Sequence, residues 1–169
     1  MGHCRWWKWP ERNERGLGRN MKPLKLIAFD REDLRIMSAY VQDAVLRVAD
    51  LAHDPASGSF VLEMNRYVWE KKQGFFDRRG ERRRSVLAVK RVTSVRSSGI
   101  DRAKGDDVLN LLAVSFHRGE EPAGAIELTF SGGAAIRLEV ECIEVQLTDI
   151  GAAWETLARP DHDRDGGEG

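Results

Sequence analysis

Cysteine is scarce: only Cys4 and Cys142 occur in 169 residues. Two cysteines exclude a disulfide framework and a four-cysteine zinc site, and such usage implies a reducing cytoplasm. Long apolar runs are missing, and none approaches the ~20 residues that a membrane-spanning helix needs. The first twenty residues hold Trp6, Trp7 and Trp9, but Arg5, Lys8, Arg12, Arg15 and Arg19 interrupt them. They therefore lack the continuous apolar centre of a secretory signal. Histidine is sparse as well. His3 and His162 fall near the termini, and His53 and His117 have no cysteine or second histidine at ligand spacing. No metal site is expected. A phosphate-cradling loop is also lacking, because Ser131-Gly132-Gly133 joins strand to strand and does not lead into a helix. No motif implies a cofactor.

What remains is a chain 41% hydrophobic and 32% charged, which suits a globular fold. The expected organisation is a disordered or artefactual leader over 1–20, one α+β domain over 21–158, and a disordered acidic tail over 159–169. Met21 reads as the start, because a strand-like run follows at once. The leader's tryptophans and bases could instead form a basic arm, but they share no helical face.

Net charge is zero, yet the charges are segregated. Residues 66–104 carry thirteen bases and four acids, a net of +9. Residues 105–169 carry four bases and fourteen acids, a net of −10. Either the basic stretch meets an anionic partner, or folding sets it beside the acidic one. Opposite charges paired across a sheet contribute about 0.2–1 kcal/mol each.

Residues 124–147 organise the rest. Ile126, Leu128 and Phe130 alternate with Glu127 and Thr129; Ile136, Leu138, Val140 and Cys142 alternate with Arg137, Glu139 and Glu141. Period-2 alternation predicts two strands, each with one wet and one dry face. Gly132 and Gly133 suit the tight turn between them. The phase slips where Cys142 and Ile143 stand together, so a bulge or bend is expected near Cys142. A strand bent there could serve two sheets or turn the corner of a barrel.

Earlier in the chain, Leu24, Leu26 and Ala28 alternate as a first strand. Asp30 reads as an N-cap, and Leu34, Met37, Val41 and Ala44 recur at helical spacing, so a helix is expected over 31–43. Residues 44–53 fit strand or continued helix. The Asp-Pro-Ala-Ser-Gly turn at 54–58 favours a hairpin with 59–69. A polar loop is expected over 71–84, a strand over 85–96, and a second loop over 97–107. Residues 108–117 are apolar on both sides, as in a central strand. A short helix is expected over 150–157, capped by Asp149. The fold class is therefore α+β: a largely antiparallel, strongly bent sheet or small barrel or sandwich of about seven strands, with one N-terminal and one short C-terminal helix.

Several segments carry a resemblance. Leu24-Lys-Leu-Ile-Ala-Phe-Asp-Arg-Glu-Asp-Leu34, Val41-Gln-Asp-Ala-Val45, Asn65-Arg-Tyr-Val-Trp-Glu70, Arg82-Arg-Arg-Ser85 and Ile136-Arg-Leu-Glu-Val-Glu-Cys-Ile143 are the residues involved. Together they resemble a domain-of-unknown-function family of bacterial proteins, mostly alphaproteobacterial, over about residues 21–160. That resemblance implies no activity, cofactor or catalytic residue.

The chemistry-bearing residues are few. Cys142, on an apolar face, reads as an inert core thiol, since a reactive one needs an electropositive, accessible setting. Glu139 and Glu141 share a wet strand face, where solvated glutamates are the rule. His53-Asp54 could orient an imidazole, but turn capping is the simpler role. The best site candidate is Arg78, Arg79, Arg82, Arg83 and Arg84, whose guanidinium groups could hold phosphates while Tyr67, Trp69, Phe75 and Phe76 stack on bases. The competing role is a solvated loop paired with acids elsewhere. The expected function is a non-enzymatic cytoplasmic module for a protein partner or ligand, with RNA binding through 71–91 as the alternative. Membrane binding is not expected.

Overall fold

The structure is a computed structural model that describes residues 23–68, 81–150 and 154–155. The expected leader, the tail and the candidates Arg78 and Arg79 lie outside the described residues. Strand β1 (Lys25–Ala28) leads into helix α1 (Arg31–Val41). Then come β2 (Ala44–Arg47), a 3-10 turn (Val48–Asp50), β3 (Leu51–Asp54), β4 (Ser59–Tyr67), β5 (Glu81–Val89) and β6 (Val92–Ser98). They are followed by β7 (Val108–Arg118), β8 (Gly124–Phe130), β9 (Ala135–Val140), β10 (Val145–Asp149) and β11 (Trp154–Glu155).

The 11 strands form one sheet in the order β1-β10-β5-β4-β2-β7-β8-β9-β6, with β3 added on β4 and β11 on β5. Each of these pairings is antiparallel. The path ends at β1 and β6, so the sheet does not close. The α+β antiparallel expectation holds; the count of about seven strands does not. Runs that read as single strands, or for 44–53 as strand or continued helix, are broken by bends. The 3-10 turn divides 44–53 into β2 and β3. Lys90 and Arg91 divide 85–96, with Arg91 in a left-handed conformation at φ 61°. Residues 141–144 separate β9 from β10.

That last break is the bend expected near Cys142, but it joins two parts of one open sheet and neither serves two sheets nor turns the corner of a barrel. Before it, β9 pairs with β8 and β6; after it, β10 pairs with β5 and β1. Backbone bonds cross the double bend, with Lys90 N–H donating to Glu144 C=O at 2.9 Å and Glu141 N–H to Arg91 C=O at 3.0 Å. One arm of the sheet thus passes into the other at 90–91 and 141–144. Cys142 itself is half-buried within the bend, and so is not on the dry face of a strand.

The hairpin of β8 and β9 is as the alternation predicts. Ile126, Leu128, Phe130, Ile136, Leu138 and Val140 are all buried, and Gly132 and Gly133 take φ of 76° and 80°. Burying each such side chain contributes about 1.5–3 kcal/mol. They join one core cluster with Leu46, Leu62, Met64, Leu87, Leu111, Val145 and Leu147. Helix α1 adds Leu34, Met37 and Val41 to it. The helix is capped as expected, with Asp33 N–H donating to the Asp30 carboxylate at 2.8 Å.

One expectation holds in part and one fails. The strand at 108–117 is central, between β2 and β8, but its two apolar sides are not both buried: Val108 and Leu112 are 62% and 41% exposed. A bulge between Leu111 and Ala113 shifts the phase, so Leu109 and Leu111 before it and Val114 after it still face the core. The Val114 N–H beside the bulge donates to Ser38 Oγ on α1 at 2.9 Å. At the C-terminal side, Trp154–Glu155 is a strand on β5 where a helix was expected, and the rest of 150–157 apart from Ile150 lies outside the described residues. Asp149 caps no helix there; it ends β10 with its carboxylate turned into the protein.

Candidate ligand pocket and a buried arginine–aspartate cluster

Alternation on β4, β5 and β10 carries three charged residues inward. Phe60, Leu62 and Met64 are followed on the same face by Arg66; Val89, Leu87 and Ser85 by Arg83; Val145 and Leu147 by Asp149. Arg66 sits directly opposite Arg83, and Asp149 opposite Ser85. Like charges facing across strands destabilise a sheet, and here the carboxylate bridges them. Arg66 donates to Asp149 through Nε and Nη2, each at 2.8 Å, a bidentate pair. Arg83 Nη1 lies 3.5 Å from the same carboxylate. Ser85 Oγ and the Leu24 N–H donate to it at 2.6 and 2.9 Å. Burial alone would push the Asp149 carboxyl pKa up, but the Arg66 bonds and charge, with Ser85 and Leu24, hold it below the ordinary value. The cluster ties β1, β4, β5 and β10 at one end of the core.

This arrangement locates the sequence-derived arginine candidates. Arg82, Arg83 and Arg84 are on strand β5, not in a loop, so they alternate between faces. Arg83 is buried. Arg82 is half-buried, with its guanidinium carbon 5.5 Å from the Tyr67 ring centre. Arg84 is exposed and paired with Glu63. Arg91, from the same basic segment, pairs with Glu144 at 3.8 Å. Part of the basic stretch is thus set against acids, two of which, Glu144 and Asp149, come from the acidic C-terminal part.

A second feature lies where the two arms of the sheet approach one another. Val92 N–H donates to Gly58 C=O at 2.9 Å, which fastens the start of β6 to the β3–β4 turn. Val48 and Ala49 N–H donate to Asp107 and Gly105 C=O, each at 2.9 Å, which fastens the 3-10 turn to the 99–107 loop. Between them is a cavity of about 500 Å³, within the usual ~300–1,000 Å³ of small-molecule sites. Phe60, Val48 and Ile136 form its buried floor, with Leu51, Val95 and Ile100 as partly buried walls. His53, Ser97 and Arg102 supply its polar side chains.

His53 is the anomaly in this pocket. Its Nε2 is buried and has no hydrogen-bond partner among the described residues. An unmet buried polar atom costs about 1–3 kcal/mol. Burial, then the nearby Arg102 charge, lower its pKa, with Asp54 opposing weakly, so the ring is neutral at pH 7. Asp54 does not orient that ring. Its carboxylate accepts from Ala56 N–H at 3.1 Å and Ser57 Oγ at 2.8 Å, the turn-capping role. Arg102 is held on the rim by its own turn, in which Ala103 N–H donates to the Asp101 carboxylate at 3.0 Å and Lys104 N–H to Asp101 C=O at 3.1 Å. Sequence reasoning named His53 but missed Arg102, Asp149 and Arg66. The latter two were signalled by their place in the dry-face alternation.

Other polar groupings offer less. His117 Nε2 lies 3.5 Å from Ser115 Oγ and 3.8 Å from Glu127, but both meet the same ring nitrogen on an exposed strand face. A relay from carboxylate through imidazole to hydroxyl needs both nitrogens. Glu139 pairs with Arg137 at 2.9 Å. Among the described residues, no group of three or more His, Cys, Asp or Glu is placed to hold a metal, and no helix is long and apolar enough to cross a membrane.

The fold and cavity define an α+β protein built on one bent antiparallel sheet with a small-molecule-sized pocket between its arms. The chain belongs to the family described as protein of unknown function DUF2948, matched over residues 24–162. No curated protein and no solved structure matches it.

Proposed function

We propose that this is a non-enzymatic, cytoplasmic ligand-binding module whose site is the cavity between β3, β6 and β9. The observation that carries the reading is the cavity of about 500 Å³ itself, with Phe60, Val48 and Ile136 as its buried floor and His53, Ser97 and Arg102 as its polar side chains. Chemistry at His53 has little support, since the nearest acid in sequence, Asp54, is engaged in its turn. Binding on a pinned sheet, with no group placed to hold a metal among the described residues, is the simpler use of such a cavity.

The alternative, RNA held by 71–91, draws less support. Arg83 is buried against Asp149, and Arg84 is paired with Glu63. A fragment screen read by amide NMR tests the ligand reading. Hits should converge on resonances of Ala49, His53, Ser97 and Arg102. A screen whose hits scatter over the surface, or that yields none in the pocket, contradicts it.

A further inference from the structure

The cavity runs along the edge of a strand. Successive strand residues point to opposite faces, yet Leu51, Ala52 and His53 of β3 all line the cavity. It therefore meets the side of β3 that β4 leaves unpaired. The pairing on either side of β2 fixes which main-chain groups open there. Val48 N–H donates to Asp107 C=O, on the β7 side. Main-chain groups alternate in direction along an antiparallel strand, so Val45 turns toward β4, opposite Asn65. Two and three steps of two residues back along β4, Val61 and Ser59 turn to the same edge, where Ala52 and Asp54 face them. His53, between Ala52 and Asp54, thus turns its N–H and C=O away from β4 and toward the cavity. Leu51 N–H lies on that same side and is taken by Val48 C=O in the 3-10 turn. Outside the β3–β4 ladder, no bond among the described residues engages the main-chain groups of His53.

We propose that the pocket binds a neutral small molecule that carries an amino-acid amide unit and an apolar side group. Its N–H and C=O pair with the C=O and N–H of His53, as one residue of an antiparallel strand would. Its apolar group rests on Phe60, Val48 and Ile136. Nine of the twelve lining residues are apolar, so a charged head group would lose water that the wall does not replace. A polypeptide running past β3 does not fit. The Val92–Gly58 bond bounds one end of the cavity, and the bonds from Val48 and Ala49 to the 99–107 loop bound the other. This assignment deepens the ligand-binding reading above and rests on it.

The test compares N-acetyl-leucine methylamide with its ester analogue, in which oxygen replaces the leucine N–H, on the full-length protein. Calorimetry gives affinity, and the amide NMR signals of Ala49 and Ser97 report the place of binding. Hydrogen exchange at the His53 amide reports the contact itself. The amide probe is expected to bind about three- to tenfold more tightly than the ester, as loss of one neutral hydrogen bond implies. It should also slow exchange at His53. A five-residue peptide centred on the same leucine should bind more weakly than the single unit. Equal affinity for amide and ester with both shifting Ala49 and Ser97, or unchanged exchange at His53, overturns the amide assignment and leaves the ligand pocket standing. Tighter binding of the peptide makes the occupant a passing chain and overturns the small-molecule assignment. Failure of both small probes to shift Ala49 and Ser97 overturns the assignment and counts against the pocket as well.

Discussion

Removing the Asp149 carboxylate takes away the acceptor that two buried guanidinium groups share on the inner face of the sheet. Arg66 and Arg83 are 0% and 2% exposed and face each other across β4 and β5. The carboxylate accepts two 2.8 Å bonds from Arg66, a 2.6 Å bond from Ser85 and a 2.9 Å bond from Leu24 N–H. Breaking a buried ion pair from one side costs about 3–5 kcal/mol, because the other charge stays desolvated. A domain of this kind is stable by about 5–15 kcal/mol, so Asp149→Ala should remove a large fraction of the total. Asp149→Asn keeps the shape and loses the charge, and should fall only slightly short of that cost. Urea unfolding monitored by far-UV circular dichroism measures both, with the slope against denaturant nearly unchanged. The pH dependence supplies a second arm. The folded Asp149 pKa is depressed, so its stabilisation is fully present above the unfolded carboxylate value and is lost as pH falls through the folded one. Asp149→Asn should therefore unfold with a shallower acid dependence than the wild type. A loss below about 1 kcal/mol for both variants, or equal acid slopes, would refute the reasoning.

Other expected outcomes are simpler to measure. A Cβ at Gly124 would lie 2.4 Å from both His117 O and the Phe116 ring, whereas one at Gly132 meets nothing within 4 Å. Gly124→Ala should thus lower the melting temperature clearly more than Gly132→Ala, whose cost is the positive φ alone, about 1 kcal/mol. Asp30→Ala removes the helix cap and should cost about 0.5–2 kcal/mol in denaturant unfolding. His53 should titrate by NMR below the ordinary value of about 6.5. Because its folded pKa is lowered, the neutral ring stabilises the fold above the unfolded value, and that stability is lost as pH falls through the folded one. A midpoint at or above the ordinary value contradicts the burial and the Arg102 field assigned to it.

Much of the architecture was readable because local chemistry and burial agree. The Ile126–Phe130 and Ile136–Val140 alternation, the slip at Cys142–Ile143 and the Asp30 cap each depend on neighbours within a few residues. What escaped depends on distant partners. β1 pairs with β10, more than a hundred residues away, and nothing local in Lys25–Ala28 signals that. Asp149 looked like a helix cap because aspartate usually is one in that setting. Continuing the Val145, Leu147 phase by one step would have put it inside, and the same step applied to β4 and β5 puts Arg66 and Arg83 there. The arginine run read as a loop because charge outweighed the alternation beneath it. The pocket was least legible of all. Its wall draws on β3, β4, β6, β9 and the 99–107 loop, and only the bends at 90–91 and 141–144 bring those segments together.

Ser97 lies on the rim of the pocket, exposed, on edge strand β6. Ser97→Trp should therefore fill the cavity without disturbing the core. The most direct measurement is a mass-spectrometric comparison of small molecules extracted from wild-type and Ser97→Trp protein, purified in parallel from the same host. The account predicts a small molecule enriched on the wild type and depleted on the filled variant. Identical small-molecule profiles from two equally folded proteins would contradict it.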